Sequence, residues 1–423
     1  MFGALSLFTN CSHEDKNRIS MAYDMRADLA PQRLTIAMWD YSWLFIHYKG
    51  GAFEDFNKVT DELLERGFNT VRIDVFPLIF GKLSYNNQQI TIAGDQLRNW
   101  GASDIDRKHD LTKELLEFME ITKQKKINVI LSTWGNGCKE FPNIKQDFTT
   151  KEKYWAAWEK VLNLLSEHQL LDHVCYVDLD QEFPYFSPFS NQIENLKNRT
   201  VSKPDEFLLT NEAMEQAGKK EDASGDMQDF KWNTAQMKFV KTLMGTSLSH
   251  FQEKYPGLRF TYSLTDFWKE VRALKITSFD VLELHFWMSS DERFLSRTTF
   301  DKLVKDRGNH DYSDYKERVN NTLKAIRPMM LKGMHNRLSF AKSWSDEIGA
   351  PLTTTEAWGP WWQMDNQNEQ EWKWLYDWCE ECMNLSSEYH LWGATPWNYS
   401  HPYWHNWSNI EWYKRVNADF LKL

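Results

Sequence analysis

The sequence predicts an α/β fold, a (β/α)8 TIM barrel made as a single domain with elaborated βα loops, and three observations predict it. Short β-rich runs alternate with longer amphipathic runs eight times along the chain. The short runs are nearly continuous in apolar residues, as strands of a parallel sheet buried on both faces must be. Polar and aromatic residues collect after the C-terminal ends of these runs, whereas Asn, Lys, Gly and Pro, an ordinary turn vocabulary, mark the other ends. No Pro/Ser-rich linker divides the chain. Residues 1–32 read as a lead-in and 33–423 as the barrel domain.

The expected strands cover residues 34–39, 69–76, 127–134, 173–179, 259–264, 281–286, 352–356 and 391–395. The first helix is expected over 52–66, where Phe53, Phe56, Val59 and Leu63 recur at helical spacing and Gly67 follows as a C-terminal glycine. Further helices are expected over 111–125, 151–168, 233–255, 313–348 and 369–385, with a last one from about residue 410. The connection after the second strand is long. The tract 182–231 is polar and reads as an elaborated loop, partly helical near 205–217.

Composition narrows the function. A hydrophobic fraction of 42% supports a sizeable core, and a net charge of -10 argues against nucleic acid as a partner, since phosphate binding calls for basic surface. No run approaches the roughly 18 apolar residues of a membrane span. Residues 1–9 are apolar but short, without a basic n-region or an A-x-A-like site, so the expected location is the cytoplasm. Five scattered cysteines do not make a disulfide framework. Cys379 and Cys382 have CxxC spacing, but in a helical pattern with no second pair, and read as thiols rather than as a redox or zinc site. The outlier is an aromatic content of 15% with 21 tryptophans, which favours flat apolar faces offered to a ligand. The oligomeric state is left open.

The most informative stretch runs through Thr353, Thr354 and Thr355 to Glu356, then Ala357, Trp358, Gly359 and Pro360. It delivers one carboxylate where a strand gives way to large aromatic surfaces. That suits sugar chemistry, in which a carboxylate attacks or steadies a cationic carbon and indoles stack on a pyranose. The competing reading is a loop Glu beside core tryptophans. At other strand ends stand Trp39 and Asp40, Arg72 and Asp74, Trp134 and Asn136, Gln181 and Glu182, His285 and Trp287, and Trp397 with Asn398. Glu182 and Glu356 follow strands four and seven and face each other across the expected barrel mouth. Arg72 has two readings, a support for Glu356 and a core ion pair with Asp74. Asp178, Asp180 and Glu182 alternate on one strand side, which allows a Ca²⁺ site or a hydrogen-bonded support for Glu182. His401 and His405, four apart, read as a rim or structural pair rather than metal ligands.

These residues resemble the cellulase-like glycoside hydrolases of clan A. The resemblance is carried by Arg72 in Asn69-Thr70-Val71-Arg72-Ile73, by Gln181-Glu182-Phe183-Pro184, and by Thr355-Glu356-Ala357-Trp358-Gly359, with His285 and Trp397 extending it over residues 34–397. It implies Glu182 as general acid/base with a raised pKa, Glu356 as nucleophile, and Arg72 beneath Glu356 holding it ionised. Trp39, Trp134, Trp287, Trp358 and Trp397 become platforms, and Asp40, Asp74, Asn136 and His285 bind hydroxyls. It implies a retaining hydrolase of β-linked glycosides or oligosaccharides with no metal or cofactor. Two positions depart from the clan. Gln181 replaces the Asn before the acid/base, and Trp287 stands where a Tyr donates to the nucleophile. Those departures support the alternative of a catalytically weak or inactive carbohydrate-binding protein on the same scaffold.

Overall fold

Each of the eight apolar runs becomes a strand, and the strands pair in the order that the alternation requires. The computed structural model describes residues 32–84, 89–94, 96, 101–197, 230–298, 312–360, 369–397 and 400–422. Nearly all of the lead-in, the stretch 205–217 and Asn398 lie outside the described residues. The strands are β1 (Leu34–Met38), β2 (Thr70–Asp74), β3 (Asn128–Ser132), β4 (Val174–Asp178), β5 in two halves (Phe260–Thr261 and Ser263–Leu264), β6 (Leu282–Leu284), β7 (Leu352–Thr354) and β8 (Gly393–Ala394). All neighbouring pairs are parallel.

Closure happens at β5. Its first half pairs with β4 (Val177 with Phe260) and its second half with β6 (Ser263 with Glu283), so Tyr262 lies at the join and the sheet returns on itself. The fold is therefore the expected (β/α)8 barrel. A helix follows every strand: α1 (Phe56–Glu65), α2 (Leu111–Gln124), α3 (Lys151–Glu167), α4 (Thr234–Lys254), α5 (Trp268–Ala273), α6 (Tyr312–Ile348), α7 (Glu369–Glu388) and α8 (Ile410–Leu421).

Local chemistry sets the boundaries. α1 begins at Phe56 rather than at 52 because the Asp55 carboxylate accepts from the N–H groups of Asn57 and Lys58. Asp110 and Thr150 cap α2 and α3, and Asn233 with Gln236 forms a reciprocal capping box on α4. The six residues of α5 give too short a periodic signal to be read from sequence. The long connection after β2 holds an antiparallel hairpin, Gln89–Ile92 with Arg107–Asp110, that was not expected. Cys379 and Cys382 are buried free thiols pushed up by desolvation, which fits packing rather than redox chemistry. Among the described residues no helix is long and apolar enough to cross a membrane.

The layer between barrel and helices is closely packed with aromatics. Trp158 of α3 is fully buried and donates its indole N–H to the Leu179 carbonyl at 3.1 Å, and the Tyr154 hydroxyl donates to the same carbonyl. This anchors the end of β4, two residues before Gln181. Trp158→Ala removes both the packing and one donor to a buried carbonyl, so its cost should fall at about 3–5 kcal/mol, measured by urea unfolding of the variant beside the unaltered chain.

Candidate active site

A fully buried guanidinium sits inside the mouth of the barrel. Arg72 on β2 grips Asp40 with two bonds, Nε to Oδ1 at 2.8 Å and Nη2 to Oδ2 at 2.9 Å, and also donates to Thr355 Oγ1 and Glu356 Oε1. The Arg72–Asp74 pairing considered from sequence does not form. Asp74 turns away and accepts the backbone N–H groups of Phe76 (2.8 Å) and Trp134 (2.9 Å), and burial pushes it up to about 7. Asp40 also accepts the Trp134 indole N–H at 2.7 Å. Both aspartates are thus engaged in holding strand ends, which corrects their expected role as hydroxyl ligands.

Glu182 and Glu356 come together at the barrel mouth. With His285 they form a group in which one ligand atom from each lies within 4.8 Å of the others. Glu182 Oε1 accepts from His285 Nδ1 at 2.9 Å and from Trp287 Nε1 at 3.2 Å. Glu356 Oε1 accepts from Arg72 and from Gln181 Nε2 at 2.6 Å, and its Oε2 lies 3.7 Å from His285 Nδ1. The two departures from the clan are thereby placed. Gln181 reaches the Glu356 carboxylate, and the Trp287 donor serves Glu182 rather than Glu356.

The backbone presents these groups from strained corners. Asp40 and Glu182 have φ of 28° and 46°, left-handed values that non-glycine residues seldom adopt. Ser263 of β5 braces the corner at Glu182. Its Oγ accepts the Glu182 N–H at 2.9 Å, and its own N–H donates to Asp178 Oδ1 at 2.8 Å. Asp178 therefore supports Glu182 through Ser263, in keeping with the hydrogen-bonded reading of that acid series.

Electrostatics separate the groups. Glu356 is 2% exposed, and desolvation pushes its carboxyl up to about 7 against the opposing pull of His285 and Arg72. The carboxyl pushed up by its surroundings is thus the one expected to be held ionised. His285 is also pushed up. Burial opposes its charged form, but Glu356, Glu182 and Glu283 outweigh that penalty. The trio could geometrically hold a divalent cation, but the guanidinium already touching Glu356 opposes a second positive charge there.

The tryptophans divide. Trp134 is half-buried against Asp40, Trp287 is 7% exposed against Glu182, and Asn136 is half-buried two residues beyond Trp134. Trp39, Trp358 and Trp397 are corrected from platforms to packing. Trp39 lies edge-on to Phe53 at 4.9 Å and donates to the Ser400 carbonyl, Trp358 donates to the Thr395 carbonyl, and Trp397 lies edge-on to Tyr376 at 5.3 Å. His401 is buried too. It meets Ser42 Oγ at 2.6 Å and accepts the Tyr403 N–H at 3.0 Å, and burial lowers it to about 3, a structural histidine.

One residue was missed. Glu283 of β6, 1% exposed, accepts from the Tyr176 hydroxyl at 2.5 Å and from both N–H and Oγ1 of Thr355 at 2.7 Å. The signal was available, since residues 283, 285 and 287 alternate onto one face of β6.

A family model described as cellulase-like, sugar-binding cellulase-like, matches residues 36–421. A crystal structure from Parabacteroides distasonis ATCC 8503, provisionally designated a glycoside hydrolase, is similar at 22% identity, with a TM-score of 0.72 over 92% of this chain and 94% of that one. An endo-beta-1,4-mannanase from Thermotoga petrophila is similar at 11% identity and TM-score 0.49, over 93% of this chain and 77% of that one. A GH5-4 broad specificity endoglucanase from an uncultured bovine rumen ciliate is similar at 12% and 0.46, over 94% and 98%. No curated protein matches the chain in sequence.

A buried acid whose folded pKa is raised favours the fold while protonated and loses that contribution as pH rises through the folded value. Glu356→Gln does not titrate. Its melting temperature relative to the unaltered chain should therefore climb between about pH 4.5 and 7 and level off above. Thermal unfolding of both proteins from pH 4.5 to 8.5 tests this, and a difference independent of pH contradicts it.

Proposed function

The chain belongs to the sugar-binding cellulase-like family, and we propose that it is a retaining glycoside hydrolase acting on β-linked glycosides or short oligosaccharides, with residues 33–423 as its catalytic domain. The observation that carries this reading is the closeness of Glu182 and Glu356, whose nearest side-chain oxygens fall within 4.8 Å. Retaining enzymes hold their carboxyl pair about 5–5.5 Å apart, whereas inverting enzymes need about 6.5–9.5 Å to admit a water between carboxylate and sugar.

In the first step Glu356 attacks the anomeric carbon and forms a glycosyl ester, while Glu182 gives its proton to the departing oxygen. In the second, Glu182 takes a proton from water, which attacks the same carbon and releases Glu356. Arg72 and Gln181 orient the attacking carboxylate through Oε1, leaving Oε2 as the free oxygen on the side of His285. His285 and Trp287 orient Glu182 through a single oxygen, leaving Oε2 to exchange the proton. Trp134 and Trp287 flank the sugar, and Asn136 and the unpartnered Gln181 Oε1 take hydroxyls.

A panel of 4-nitrophenyl β-glycosides and disaccharides identifies the sugar. Glu356→Ala should lower turnover by about a thousandfold or more, with azide or formate restoring part of it through an open cavity. Near-normal turnover in that variant removes Glu356 from the mechanism. Sugar binding by calorimetry with no hydrolysis of any member of the panel favours the binding-protein alternative.

A further inference from the structure

His285 and Trp287, the two side chains that hold Glu182, leave β6 on one face two residues apart. Their backbone carbonyls need partners as well. β5 ends at Leu264, whose carbonyl accepts the His285 N–H, and the chain then turns at Phe267 into α5. Beyond that point a cavity of about 620 Å³ lies beside Trp287, lined also by Asp266, Phe267, Arg293 and Arg337. Among the described residues no strand extends there; the Ser290 N–H, in the turn that follows, reaches the Trp287 carbonyl at 3.2 Å.

Arg337, from α6, adds side-chain donors to both carbonyls. Its Nη2 donates to the His285 carbonyl at 3.1 Å and its Nη1 to the Trp287 carbonyl at 3.0 Å. The guanidinium also lies over the rings of Trp268 at 4.8 Å and Phe286 at 5.5 Å. Desolvation holds it down to about 10, and among the described residues no carboxylate lies at ion-pair distance. A cation placed at such cost, with both arms on consecutive same-side carbonyls, acts on the backbone between them.

We propose that Arg337 is a positioning residue for the acid/base: its fork fixes the end of β6 so that His285 and Trp287 converge on one oxygen of Glu182. This rests on the acid/base role given to Glu182 above. The N–H groups of His285, Phe286 and Met288 donate to the Leu264, Glu356 and Gly359 carbonyls and hold that side of the segment; without the fork its carbonyl side loosens, and Glu182 points its proton less well at the departing oxygen. Glu356 is held separately by Arg72 and Gln181 and keeps its own orientation.

Leaving-group dependence distinguishes this from a general loss of structure. The readout is kcat/KM on the phenyl and 2,4-dinitrophenyl β-glycosides of whichever sugar the unaltered chain hydrolyses fastest. Phenolate needs a proton to depart and dinitrophenolate does not. Arg337→Met should lose about 10- to 100-fold on the phenyl glycoside and less than about threefold on the dinitrophenyl one. Arg337→Lys, a cation without a fork, should show the same asymmetry to a smaller degree, and it carries the test if the Met variant does not fold. Equal losses on both substrates, or no loss on either, overturn the proposal. Glu182→Ala, measured alongside, should show the asymmetry more strongly. If it does not, the acid/base reading itself fails, whatever Arg337 does.

Discussion

The contact on which the site depends is the one that Arg72 makes with Asp40 and Glu356. A lone guanidinium inside a barrel would carry a desolvation penalty of several kcal/mol, and a lone carboxylate the same. Sharing one cation between two acids offsets both penalties and fixes geometry as well as charge. Through Asp40 the guanidinium fixes the end of β1, through Thr355 and Glu356 the end of β7, and Asp40 passes the constraint on to Trp134 after β3. The balance is not complete, because desolvation still pushes Glu356 up to about 7. The Glu356 carboxylate thus keeps its place through Arg72 and Gln181 while its charge stays sensitive to its neighbours.

Much of this was legible in the sequence because barrel strands are written in a simple alphabet. Eight apolar runs of similar length, with polar and aromatic residues gathered at the ends of seven of them, gave the topology, and the order of Arg72, Glu182 and Glu356 gave the centre. Side-chain direction was not legible. Arg72 and Asp74 are two apart on one strand and looked like partners, yet the anions that Arg72 meets in space are Asp40, just past β1 and 32 residues earlier, and Glu356, just past β7. Trp39 and Trp358 looked like ligand platforms because they stand at strand ends, but a wide barrel–helix interface needs large rings to fill it, and burial claimed them. Glu283 escaped notice because an acid between two leucines reads as an exception to an apolar strand rather than as a member of the interior face. The short α5 and the hairpin after β2 lack the length that periodicity needs.

The barrel is not evenly built, and that has a consequence for its carboxylate pair. β1 to β4 have five residues each, while β6 to β8 have two or three and β5 is broken at Tyr262. The molecule is thus a well-laddered half joined to a sparsely laddered one. Glu182 stands on the first half and Glu356 on the second. Arg72 and Gln181 reach from the first half to Glu356, and His285 reaches back from the second to Glu182. The polar centre therefore does what the missing ladder bonds would otherwise do. It sutures the two halves at their rim, so that chemistry and architecture here share the same few bonds, and loosening one slackens the other.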